Sequence, residues 1–331
     1  MRLILSMFLT AVLASFLPQH AAHAASGVGI VSLTTQGEYK VPVAVWYPSV
    51  APTESWRAGP YRINATRNAP PEPGRHPLVL LSHGSGGGEF GHADLAEALA
   101  QRGYVVAAPR HLGDSHDQPE GQGSDVQLIG RPWQAVATLD AVLADARLAP
   151  AIDAQRIGMA GFSAGGYTAL VMAGARPELP LANAHCRAHP DNKVICPQGA
   201  ATQRKITRPG WALPSDRRVR AAVVMAPFGI VFDAKGLADV TIPLRIYKAS
   251  DDQVLRNAWN ADAVLGMLPA RTEHAELLGG HYVFLAPCGD ELKAAVPEIC
   301  RDAPGVDRVA LHTKLNAEIA DFFDRTLTPP R

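Results

Sequence analysis

The stretch from Arg156 to Tyr167, Arg-Ile-Gly-Met-Ala-Gly-Phe-Ser-Ala-Gly-Gly-Tyr, constrains this chain more than any other. Residues 157–160 form a short apolar run of the kind that makes a buried parallel strand, and residues 167–173 are helix formers. Between them lies Gly161-Phe162-Ser163-Ala164-Gly165, a Gly-x-Ser-x-Gly turn. A chain that reverses from strand to helix in so few residues strains its central residue, and side chains on either flank would collide, so glycine is needed at both. The outcome is a hydroxyl, that of Ser163, held clear of the backbone at a helix N-terminus. The plain alternative is a glycine-rich turn with an incidental serine, and residues elsewhere in the chain decide between the two.

A chain of 331 residues, 47% hydrophobic and 19% charged, is long enough for one large α/β domain or two small ones. Its formal net charge of +0 implies neither nucleic acid nor an anionic membrane surface as a partner. The first residues differ in character. Met1-Arg2 is a minimal basic start, residues 3–17 are apolar but short for a bilayer span, and Ala22-His23-Ala24 is a small-x-small cleavage site. The pattern predicts a secretory signal over residues 1–24 and a periplasmic or secreted mature chain of residues 25–331, with no stable membrane anchor after cleavage. In an oxidising compartment the four cysteines read as disulfides. Three pairings are possible; Cys186 with Cys196 and Cys288 with Cys300 are chosen because each closes a short loop.

Along the mature chain, residues 30–33 and 41–47 read as antiparallel strands with a turn at Gln36-Gly37-Glu38, and residues 49–75 as a surface loop packed down by Trp56 and Tyr61. Residues 77–81 are the next buried strand, running into Ser82-His83-Gly84-Ser85-Gly86-Gly87-Gly88. Glycines at the carboxyl end of a strand let bare N–H groups approach a ligand, as an oxyanion hole requires; the Gly-Lys-[Ser/Thr] ending of a phosphate loop is missing. The donors expected here are the N–H groups of Ser85 and Ala164. A helix over 94–102 and a strand over 104–108 lead to a loop holding His111, Asp114, His116 and Asp117. These could ligate a metal, but no second cluster supplies a defined spacing, so the loop reads as a pocket rim with no metal. Residues 132–146 form an amphipathic helix with Ala135, Leu139, Val142 and Leu143 on one face. Residues 176–218, proline-rich and without a sustained period, read as a cap-like insertion tied by the first cysteine pair, with Trp211 in a substrate wall. Strands follow at 219–225, 242–249 and 274–278, and a closing helix at 306–327 directs Val309, Leu315, Ile319 and Phe322 inward.

The last two of those strands carry the partners a nucleophilic serine requires. Ser250-Asp251-Asp252-Gln253-Val254 follows one and Gly279-Gly280-His281-Tyr282 the other. A serine hydroxyl needs a neutral imidazole to take its proton, and the imidazole needs a carboxylate to fix its tautomer. The order Ser163, Asp252, His281 is that of α/β-hydrolases, with Asp251 as the alternative acid. His83, Gly84, Phe162 and Tyr282 flank these turns and, with His111 and Trp211, are the candidate pocket residues. The expected fold is a mostly parallel central sheet with helices on both faces and a disulfide-tied insertion after the nucleophile helix.

Residues 41–48 with their Val-Trp-Tyr-Pro, residues 82–87, residues 161–165, and the tail from Gly280-His281-Tyr282-Val283-Phe284-Leu285 through Cys288 and Cys300 together resemble the exported predicted dienelactone hydrolases of bacteria, relatives of platelet-activating-factor acetylhydrolase. The resemblance covers nearly all of the mature chain. Dienelactone hydrolases proper use a cysteine in the elbow where this chain has Ser163, so the family label does not define the substrate. What the acetylhydrolase resemblance implies is a serine esterase without a cofactor, acting on short acyl esters, those of lipids and lactones included. The rival readings are a peptidase or amidase on the same fold and a catalytically silent binding protein.

Overall fold

The computed structural model describes residues 27–199, 206–214 and 216–327, so the expected signal segment lies outside the described residues. In chain order the strands are β1 (Gly27–Thr34), β2 (Pro42–Ser49), β3 (Ser55–Ala58), β4 (Tyr61–Asn64), β5 (Thr66–Arg67), β6 (His76–Ser82), β7 (Val105–Pro109), β8 (Ile152–Phe162), β9 (Val219–Met225), β10 (Leu244–Ala249) and β11 (Glu273–Leu277). The helices are α1 (Ala93–Gln101), α2 (Arg131–Ala144), α3 (Ala164–Met172), α4 (Leu179–Ala188), α5 (Ala234–Leu237), α6 (Ala261–Met267), α7 (Asp290–Ala295), α8 (Pro297–Cys300) and α9 (Arg308–Thr326). Strands β3 and β4 pair with each other; the other nine form one sheet in the order β11-β10-β9-β8-β6-β7-β2-β1-β5. From β7 through β11 all neighbours are parallel, while β2 runs antiparallel to both β7 and β1.

The parallel strands are continuous apolar runs because both faces are covered. Leu78, Leu80, Val105, Ala107 and Met159 face the layer that holds α2 and α3, and their alternates Val79, Leu81, Val106, Ala108 and Ala160 face α1 and α9. This is the expected layered α/β sheet. Phe323 of α9 is fully buried, and a β-carbon on Gly158 of β8 would lie 2.7 Å from its ring. The ring therefore rests on bare strand backbone. Leu315, Ile319 and Phe322 point inward as expected, whereas Val309 is 64% exposed, because Arg308 and His312 hold the inward positions of the first turns.

Two further expectations are corrected. The span 49–75 is not merely a loop: it contains the β3–β4 hairpin and β5, which extends the sheet beside β1. The segments are two to four residues long, too short for a period to register in the sequence. Trp56 does pack the hairpin down, donating its indole N–H to the Ala65 carbonyl at 2.9 Å and meeting Phe90 edge-on. The helix expected from residue 132 is preceded by a π-helical turn, Val126–Gly130. Pro132 has no N–H for the Leu128 carbonyl one turn back, and the Tyr167 hydroxyl bonds that carbonyl instead, at 2.7 Å. Among the described residues of 176–218 there is one helix, α4, and the Cys186–Cys196 disulfide; Cys288–Cys300 is the second disulfide. Among the described residues no helix is long and apolar enough to cross a membrane.

One ion pair ties α1, α9 and the segment after β11 together. His312 places Nδ1 2.6 Å from Asp94 Oδ2 and Nε2 2.8 Å from the Val283 carbonyl, and Asn316 also donates to Asp94. Both ring nitrogens face acceptors, which suits the imidazolium. Burial pushes the His312 pKa down, but the Asp94 carboxylate and the carbonyl outweigh it and leave it raised; burial pushes Asp94 up, and His312 and Asn316 leave it lowered. The His312 contribution to stability is complete below its ordinary value of 6.5 and is lost as pH rises through the raised folded value. The Asp94 contribution is complete above its ordinary value of 3.8 and is lost as pH falls through the lowered folded value.

Urea unfolding of Phe323→Ala is expected to show a loss of about 3–5 kcal/mol; a loss under about 1 kcal/mol would mean that the ring does not brace the sheet. The destabilisation caused by Asp94→Asn is expected to be larger at pH 6 than at pH 9, and equal losses at the two pH values would contradict an imidazolium at His312.

Candidate active site

Parallel register brings the ends of six strands, β6 to β11, to one edge of the sheet, the edge where open α/β sheets bind ligands. Ser82 of β6 pairs with Gly161 of β8, and Phe162 of β8 pairs with Met225 of β9, so the chain leaves β6 and β8 at the same level. At Ser163 the backbone is left-handed, with φ 56°. The Ser163 N–H bonds the Met225 carbonyl at 2.9 Å, and its own carbonyl accepts from Tyr167 and Phe228. The flanking glycines are required sterically: a β-carbon on Gly161 would fall 2.1 Å from the Gly165 carbonyl oxygen, and one on Gly165 would fall 1.9 Å from that of Ser82.

The acid and the imidazole meet because β10 and β11 stay stitched beyond their last paired residues, Ala249 and Leu277. Ser250 N–H bonds the Leu277 carbonyl, Asp251 N–H bonds that of Gly279, and Gly279 N–H bonds the Ser250 hydroxyl. Asp252 and His281 then emerge facing each other. His281 Nδ1 lies 2.7 Å from Asp252 Oδ2, and His281 Nε2 lies 3.0 Å from Ser163 Oγ. The other Asp252 oxygen accepts the N–H groups of Val254 at 3.0 Å and Leu255 at 2.7 Å, which fixes the carboxylate plane. Asp251 is exposed and bonded by the Gln253 amide, away from the imidazole. All three facing side chains are buried. A hydroxyl, an imidazole and a carboxylate from three separate strand ends thus form one hydrogen-bonded line, able to move a proton off the serine.

Ser85 and Ala164 both line the cavity at Ser163, and among the described residues neither N–H has a protein partner. The cavity measures about 430 Å3. Phe162 and Tyr282 line it as expected. His83, Gly84, His111 and Trp211 do not. His83 and His111 are buried behind the 82–86 turn, where His83 Nε2 accepts the His111 N–H at 3.0 Å and His111 Nε2 lies 2.9 Å from Ser82 Oγ. Burial, with the Arg131 guanidinium beside them, holds both pKa values well below the usual histidine range. Gly84 abuts the Phe162 ring, which a β-carbon there would approach to 2.9 Å. Trp211 lies under the Arg208 guanidinium, 4.2 Å from it, and against Gly130.

The cavity wall that sequence reasoning missed is Val194, Ile195 and Pro197, beside the Cys186–Cys196 bridge, faced by Leu128 and Phe228. The neighbouring cysteine is the one signal that could have pointed to it. Gln122, from the loop after β7, and Gln127, from the π-helical turn, add polar groups to the lining.

Residues 63–221 match the model of the Dienelactone hydrolase family. A solved structure of ferulic acid esterase from Streptomyces cinnamoneus is similar over 94% of this chain and 96% of that one, with 21% sequence identity and a TM-score of 0.63. No curated protein matches the chain in sequence. The family pattern runs from β4 into β9, and the mostly parallel sheet with its helices matches an α/β-hydrolase fold.

Proposed function

We propose that the protein is a serine carboxylesterase that cleaves short-chain carboxylic esters through an acyl-enzyme. The observation that carries this is the line Ser163 Oγ, His281 Nε2, His281 Nδ1, Asp252 Oδ2, with steps of 3.0 and 2.7 Å outside the ring, opening on a largely apolar cavity. Hydrolase kinship through the family model, and fold likeness to a protein described as a ferulic acid esterase, support an ester as the bond cleaved.

In this mechanism Ser163 Oγ attacks the ester carbonyl while His281 Nε2 takes its proton, and Asp252 stabilises the imidazolium so formed. The carbonyl oxygen becomes an oxyanion that the Ser85 and Ala164 amides receive; each such donor is worth about 3–4 kcal/mol in the transition state. The tetrahedral species collapses, the bond to the alcohol oxygen breaks, and His281 gives the alcohol its proton. Water, deprotonated by His281, then attacks the acyl-Ser163 ester, the bond from the acyl carbon to Ser163 Oγ breaks, and His281 returns the proton to Ser163 Oγ as the acid leaves. The apolar wall of Val194, Ile195 and Phe228 suits an uncharged acyl or alcohol group, a lipid or lactone ester among them. Two disulfides and the leader-like start of the sequence support an exported, periplasmic or secreted protein.

Ser163→Ala is expected to lower turnover of p-nitrophenyl acetate by at least about 10^4-fold with an unchanged circular dichroism spectrum; turnover within tenfold of the unaltered protein refutes the assignment. Comparing an ester and an anilide of one acyl group separates esterase from amidase, the ester being the substrate expected to turn over.

A further inference from the structure

We propose that the buried Asp114–Arg131 pair is the positioning device of the oxyanion hole, holding the 82–86 turn so that the Ser85 amide faces the reacting carbonyl. The inference rests on the serine-esterase reading. Both side chains are fully buried, and Arg131 Nη1 lies 2.6 Å from Asp114 Oδ2. A buried ion pair is a poor way to stabilise a fold, since well-packed apolar residues of similar volume do as well or better. Its contacts show what it does instead.

The pair reaches the turn at nearly every residue. Arg131 Nη2 donates to the Ser82 hydroxyl at 3.2 Å and to the His83 carbonyl. Asp114 Oδ1 accepts the Ser85 hydroxyl at 2.5 Å, and the Asp114 carbonyl accepts the Gly86 N–H at 3.2 Å. Gly86 sits at φ 71°, a conformation the turn needs in order to bring that N–H round. The same guanidinium reaches the second donor: Arg131 Nε bonds Thr168 Oγ1 at 3.2 Å, and Thr168 Oγ1 donates to the Ala164 carbonyl at 2.9 Å. Both oxyanion amides are thereby referenced to one rigid, planar group. Gln127, on the cavity wall, donates to Asp114 Oδ2 and Ser85 Oγ, each at 3.0 Å, so the network continues to the substrate side. Behind it, Ser82 Oγ meets His111 Nε2, and His111 Nδ1 lies 3.3 Å from Gln134 Oε1, which closes the chain of bonds on α2. Preorganised donors are worth most when they need no rearrangement as charge develops, and this network supplies that rigidity.

The experiment compares Asp114→Asn and Ser85→Ala with the unaltered protein in p-nitrophenyl acetate hydrolysis. It also measures inhibition by a trifluoromethyl ketone, which mimics the tetrahedral oxyanion, and by the matching methyl ketone, which does not. Asp114→Asn is expected to lower kcat about 10^2-fold with KM within about threefold, and to weaken the trifluoromethyl ketone as much as kcat/KM, leaving the methyl ketone unchanged. Ser85→Ala keeps the amide donor and removes the hydroxyl's bonds to Asp114 and Gln127, and should lower the same two quantities about tenfold. If Asp114→Asn does not fold, Ser85→Ala decides alone. Unchanged kcat and unchanged ketone affinity in the folded variants overturn the inference, as does a parallel loss of affinity for both ketones, which marks a general structural role. An unaltered protein that hydrolyses no ester and takes no fluorophosphonate at Ser163 overturns the esterase reading and this inference with it, whereas an active one with unaffected variants overturns the inference alone.

Discussion

Two missing β-carbons make the site possible. At Ser163 the chain passes through a left-handed conformation that an L-residue adopts only under constraint, and Gly161 and Gly165 leave the room in which carbonyl oxygens lie where side chains would stand. The strain is held from both sides: the sheet takes the Ser163 N–H through Met225, and α3 takes its carbonyl through Tyr167. With the serine fixed at the head of α3, the neighbouring strand ends only have to stop at the same level, which parallel register with β6 and β9 ensures. The Ser163 hydroxyl and the His281 imidazole then line one cavity with Ser85 and Ala164.

Around that point the histidines are sorted by environment. His83 and His111 sit beside Arg131 with burial and a positive neighbour both acting against protonation, so they serve as neutral struts. His92, buried at the start of α1 against Phe162, has its pKa pulled down to about 4, chiefly by burial. His312 has a carboxylate partner that holds its pKa above the ordinary histidine value. His281 alone among these lines the cavity, with a carboxylate on one nitrogen and a hydroxyl on the other. One residue type thus does three jobs, set by which charge stands next to each ring.

The insertion shows how a segment poor in regular structure still forms an accurate wall. Cys186 on α4 is bonded to Cys196, and the residues on either side of Cys196 line the cavity at Ser163. The bridge removes unfolded-state freedom worth roughly 2–3 kcal/mol. A second anchor lies further on, where Asp125 accepts the N–H groups of Thr207 and Arg208 and the Thr207 hydroxyl, tying the insertion to the turn that carries Gln127. The Cys288–Cys300 bridge does the corresponding service after His281, with Arg308 bonding Asp302 and the Ile299 carbonyl beside it.

The elbow, the mostly parallel sheet, the meeting of Ser163, Asp252 and His281, and the pairing of the cysteines were legible in the sequence because each depends on contacts short in sequence or on turn chemistry at strand ends. Asp252 rather than Asp251 followed the same logic, since the choice is made by an amide two residues on. The short β3–β4 hairpin escaped because four residues carry no period, and Val309 was misjudged because a helical stripe does not say where the core beneath it ends. His111, Asp114 and Trp211 were read as a pocket rim and wall from the positions of their loops, but which face of a loop turns inward is decided by partners far away in sequence. Arg131 draws Asp114 beneath the 82–86 turn across 17 residues, and Ser82 holds His111 across 29. Local sterics and turn chemistry therefore determined which groups could react, and only tertiary packing, by burying one charged pair and aiming the disulfide loop, decided what surrounds them.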